Sequence, residues 1–142
     1  MSLIASSPLY EALRADVVTA WAPDSVTYGL PQVESPTYPY AVVRLSNVPM
    51  QPAGARIVEQ SYRFECMYVD AWQTGSTWNV ELAKEDIANA LITRLLSNPI
   101  YASFGYMPQI LSVDFDETDD PIKPRYSVSI TFEVIQHVEA LV

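Results

Sequence analysis

Residues 56–72 constrain the chain more than any other stretch. From Val58 onward the even positions include Tyr62, Phe64, Cys66 and Tyr68, and the odd ones include Glu59, Ser61, Arg63 and Glu65. That two-residue period predicts a long strand with one apolar face and one wet face. Such a strand is not stable alone. It needs strand partners on both sides and helices over its apolar face.

The flanking sequence supplies them. Ser6 or Ser7, then Pro8, then Leu9, Leu13, Val17, Ala20 and Trp21 predict a helix over 8–21, stopped by Pro23. Residues 23–39, rich in proline, serine and tyrosine, predict an ordered loop or an arm. A first strand follows over 39–45, apolar on both faces until Arg44 and so expected inside the sheet. Residues 51–55, with Pro52 and Gly54, predict a flexible tip between two strands. After a polar loop at 73–77, Asn79 is placed to cap a second helix. Its apolar stripe is Val80, Ala83, Ile87, Ala90, Leu91 and Leu95, with Glu81, Lys84, Glu85 and Asn89 opposite; Asn98-Pro99 ends it. A third strand over 110–115 puts Leu111, Val113 and Phe115 on one face. A fourth over 126–134 alternates Tyr126, Val128, Ile130, Phe132 and Val134 with polar residues. An acidic turn at 116–121 joins them as a hairpin. The expectation is one α+β domain over 1–142, in the order α-β-β-α-β-β. A mainly antiparallel four-stranded sheet would be covered on one face by two helices.

Composition narrows the function. Seventeen acidic against eight basic residues give a net charge of −9, with no basic cluster to neutralise successive phosphates, so direct nucleic-acid binding is not expected. A field of that sign repels DNA and anionic membranes, and it suits a channel wall past which DNA moves without sticking. Cys66 is the one cysteine, which excludes an intrachain disulfide and a cysteine zinc cluster. The first residues lack the basic region of a signal peptide, and no apolar run reaches the roughly 20 residues that cross a bilayer.

Few residues point to chemistry. His137, the one histidine, has no partner at triad or metal-ligand spacing and reads as structural or as a surface residue. Cys66 falls among inward-facing residues, where a cysteine is usually a small buried hydrophobe. Asp114, Asp116, Glu117, Asp119 and Asp120 form the sharpest candidate. Their alternation resembles a calcium loop, but Asp119 stands where such a loop needs glycine, and Arg125 where it needs glutamate. A solvated hairpin tip and a weak cation site both remain open. No glycine-rich phosphate loop and no singled-out carboxylate pair is present, so neither an enzyme nor a cofactor is expected. Tyr28, Tyr38, Tyr40, Trp72 and Trp78 suit core edges and assembly contacts equally.

Four segments carry a resemblance. They are Ser7-Pro8-Leu9-Tyr10-Glu11-Ala12-Leu13 opening a helix, Tyr38-Pro39-Tyr40-Ala41-Val42-Val43-Arg44-Leu45 in a strand, Tyr62 to Trp72 in a strand, and Glu81 to Leu91 in a helix. In that order, over most of its length, the chain resembles the tail completion or tail terminator proteins of long-tailed phages and related tailed particles. The resemblance implies a structural virion subunit of the tail or neck, assembled in the host cytoplasm. It would close into a ring, a hexamer by this likeness, on the last ring of the tail tube, stopping tube growth and joining tail to head. The implied partners are copies of itself, the tail tube protein and a head-completion or stopper protein, with DNA passing through and no membrane. The likeness transfers no catalytic residue. The acidic run Asp114, Asp116, Glu117, Asp119 and Asp120 is a candidate lumen or interface surface. A stopper or tube subunit is an alternative; a small ligand-binding domain or enzyme is another.

Overall fold

A computed structural model describes residues 7–28, 37–72, 79–104, 106–118 and 124–139. Along the chain run α1 (Ser7–Trp21), β1 (Ser25–Thr27), β2 (Tyr40–Asn47), β3 (Met50–Gly54), β4 (Ile57–Ala71), α2 (Val80–Ser97), α3 (Ile100–Phe104), β5 (Tyr106–Thr118) and β6 (Arg125–Glu139). The strands form one six-stranded sheet in the order β1-β2-β4-β6-β5, with β3 pairing β4 beyond the end of β2. The class is α+β and the pairing antiparallel except for β1 with β2. Among the described residues the sheet has six strands where four are expected, and there are three helices where two are expected.

β4 is the axis. Its 15 residues pair with β6 from Ile57↔Glu139 to Ala71↔Arg125 without a register shift. At about 3.3 Å per residue, this pair runs about 50 Å. Tyr62, Phe64, Cys66 and Tyr68 point into the core as the alternation requires, joined by Tyr126, Val128, Ile130, Phe132 and Val134 of β6. Over this face α1 lays Leu9, Leu13, Val17 and Trp21, and α2 lays Ala88, Leu91 and Leu95. Asn79 caps α2: its Oδ1 accepts from the N–H groups of Glu81 at 2.9 Å and Leu82 at 3.4 Å. α1 ends on Ala22, held at φ 44 ahead of Pro23.

Several expectations are corrected. The stripe of α2 is centred on Lys84, Ala88, Leu91 and Leu95, so Lys84 lies on the inner side and Ala90 on the outer. Lysine is tolerated there because its stem packs on apolar surface while its ammonium reaches Glu117 at 2.7 Å and Glu81 at 3.1 Å. Residues 51–55 are not a loose tip: Met50–Gly54 is a strand, and Ala55 and Arg56 make the turn, with Arg56 at φ 63. Within the 23–39 loop or arm, Ser25–Thr27 pairs in parallel with Tyr40–Val42, which puts only the start of β2 inside the sheet. In β5 the register shifts between Ile110 and Ser112, the signature of a bulge. Ile110 and Val113 therefore pack on the core while Leu111 is exposed, against the expected face of Leu111, Val113 and Phe115.

Candidate assembly interface

Most polar groups of the body are committed to one another. The buried Asp16 carboxylate on α1 accepts from Arg94 Nε at 2.8 Å, from Asn98 Nδ2 at 3.0 and 3.2 Å, and from the Tyr101 hydroxyl, tying α1, α2 and α3 together. Burial, and then the bond to Asp16, push the Tyr101 phenol upward. Cys66 is sealed in the core, and burial pushes its thiol up to about 12, so it is not a reactive thiolate at neutral pH. His137 Nε2 lies 3.3 Å from Glu59 Oε1. Among the described residues no group of three or more His, Cys, Asp or Glu side chains is arranged to hold a metal ion. A hollow of about 440 Å³, open to solvent, is lined by Ser7, Tyr10, Glu11 and Tyr28.

On the outer face of the sheet, charge is paired across neighbouring strands. Arg44 meets Glu65 at 2.8 Å, Arg63 meets Glu133 at 2.7 Å, Gln109 donates to Glu133 at 2.8 Å, and Gln51 donates to Glu59. Each pair joins residues directly opposite in the ladder. Glu133 is buried in spite of its position on the wet face.

The acidic run does not form one cluster. Asp114, Asp116 and Glu117 stand inside β5, because the strand continues to Thr118; Asp119 and Asp120 lie outside the described residues. Asp114 and Asp116 sit opposite Ser129 and Ser127 on the outer face and are exposed. Glu117 sits opposite Tyr126 on the helix side, in its ion pair with Lys84. That bond holds the Glu117 carboxyl below its usual range and the Lys84 ammonium above its own.

Two features are left open to partners. The sheet outruns its helices: beyond Gln60 and Gln136, β3, the start of β4 and the end of β6 continue as a three-stranded arm, none of whose side chains belongs to the core. Met50 and Ile57 are exposed on it. The second feature is the outer edge of β5, with Leu111 and Phe115 exposed beside it. Neither is visible as a motif. The signal for the arm was the length of the alternation itself, which exceeds what two helices can cover.

No protein-family profile and no curated protein matches the chain. A solved structure with a similar course is the sheath/tube terminator of PVC, an extracellular contractile injection system, in its extended state, at a TM-score of 0.44 and 11% identity. The superposition covers 97% of this chain and 58% of that one, so the chain spans little more than half of this neighbour's length. At that level the likeness fixes no relationship.

Proposed function

We propose that the chain is a structural subunit of a tailed particle, a phage or a related assembly. In this reading it closes with copies of itself into a six-membered ring on the end of the tail tube, stops the tube from growing and joins tail to head. Its partners are the tube protein and a head-completion protein, and it performs no reaction. The resemblance of its sequence pattern to tail terminators supports the reading. The observation that carries it is the arm. A thin ribbon with exposed Met50 and Ile57 and no share in the core gains stability when a neighbour covers it. A cyclic ring needs each subunit to present two unlike patches, and an arm projecting from a compact body supplies them. The net charge of −9 suits a wall along which DNA slides.

The test is assembly of the particle without this chain. Overlong tails that fail to join heads are expected. Joined particles with tails of normal length would overturn the reading.

A further inference from the structure

The two edges of the sheet are finished differently. On the β2–β3 side, β1 covers Tyr40–Val42, the Tyr10 hydroxyl accepts the Leu45 N–H at 2.7 Å, and Pro52 has no N–H to offer an added strand. On the β5 side no described strand pairs outward. There the Glu117 N–H donates to the carboxylate of the adjacent Asp116 at 2.9 Å. A donor spent on β6 would not be available to it, so this amide is directed away from the sheet. Alternate residues of an antiparallel strand point the same way, which directs the amides of Val113 and Phe115 outward too. From Ser112 to Thr118 the register opposite β6 is unbroken, so this part of the edge is regular. Outward N–H and C=O groups on a regular strand are a template for strand addition.

We infer that the outer edge of β5, along 112–118, is a docking strand for an extended cationic segment of a different protein chain. Charge selects the occupant. Asp114 and Asp116 are exposed on one face of the strand, and among the described residues neither has a cationic partner. On the other face Phe115 is half exposed, with the Lys84 Nζ 5.7 Å from its ring centroid. An incoming strand that alternates basic and apolar side chains meets carboxylates with the first set and the Phe115 ring with the second. A second copy of this chain fits worse: β5 against β5 brings Asp114 and Asp116 beside their own images, and the β2–β3 edge is closed as described. This assigns the two aspartates to a protein contact in place of a lumen wall. It stands on the sheet edge alone and does not require a ring.

The probe is a short synthetic peptide alternating lysine and valine, with a glutamate–valine peptide as control. Both are titrated into the full chain by fluorescence anisotropy, and amide hydrogen exchange is followed in parallel. The lysine peptide is expected to bind, to protect the amides of Val113 and Phe115, and to weaken on adding salt. The double variant Asp114→Asn, Asp116→Asn should bind at least tenfold more weakly. Phe115→Pro removes one outward donor and no ladder bond, so it should keep its circular dichroism spectrum and lose the peptide. Equal binding of the glutamate peptide, no binding, or binding without protection of these amides would overturn the inference. So would amides already protected in the chain alone, which would show the edge occupied by another copy or another segment of this chain. Light scattering reads ring formation separately: rings that still form in Phe115→Pro leave the ring intact whatever the peptide does.

Discussion

At the scale of single residues, two positions carry stability that the hydrophobic pattern does not show. Asp16 is buried beneath the Arg94, Asn98 and Tyr101 donors. Asp16→Ala strands the Tyr101 hydroxyl and removes the anion, an expected loss of about 3 kcal/mol in urea unfolding. Asp16→Asn keeps an acceptor and should lose less; equal stability of the alanine variant would remove the clamp. Ala22 is held at φ 44 at the end of α1, where an L side chain meets its own carbonyl. Ala22→Gly relieves this and should gain about 1 kcal/mol by the same measurement. Asp16 was legible in principle, since it lies three residues after Leu13 and seven after Leu9 and so falls inside the stripe of α1. A charged residue there has to find donors, and those come from Arg94, Asn98 and Tyr101, far along the chain. No local pattern reports them.

At the scale of elements, the Lys84–Glu117 bond joins α2 to β5 and makes stability depend on pH. The Glu117 carboxyl is depressed, so its contribution is present above the unfolded carboxylate value and lost as pH falls through the lower folded one. The Lys84 ammonium is raised, so its contribution is present below the unfolded lysine value and lost as pH rises through the higher folded one. The bond therefore works between about pH 4 and about pH 10. Thermal melts of the chain and of Glu117→Gln should differ at pH 7 and converge well below pH 4; a difference that persists in acid would assign the effect to packing. β4, β6, α1 and α2 were legible because each keeps one period for several turns or alternations. β1 and β3 were not: the first is 3 residues long and the second contains Pro52, so neither has a readable period. The bulge at Leu111 is one extra residue, which puts Ile110 in place of Leu111 on the core side while Val113 and Phe115 keep their shared face, and composition does not report it. α3, 5 residues long, is fixed by Tyr101, whose ring packs edge-on against Phe132 at 4.9 Å.

At the scale of the whole molecule, the body satisfies itself and the surplus is strand. A closed core lies between three helices and one face of the sheet, the outer face pairs its charges across strands, and the arm and the β5 edge remain outside both. The alternation of residues 56–72 predicts the long strand, and that of 110–115 places Asp114 in a strand, but Asp116 and Glu117 are expected at a hairpin tip. The structure puts Asp114, Asp116 and Glu117 within β5, and splits them between the two faces of the sheet. On the proposed function, a protein of this build works through its neighbours. The direct measurement is the particle mass by light scattering with negative-stain images, for the purified chain alone and after mixing with purified tail tubes of its own particle. One fixed stoichiometry with closed rings, in solution or on tube ends, is the predicted result. A monomer in both samples, with bare tube ends, would contradict it.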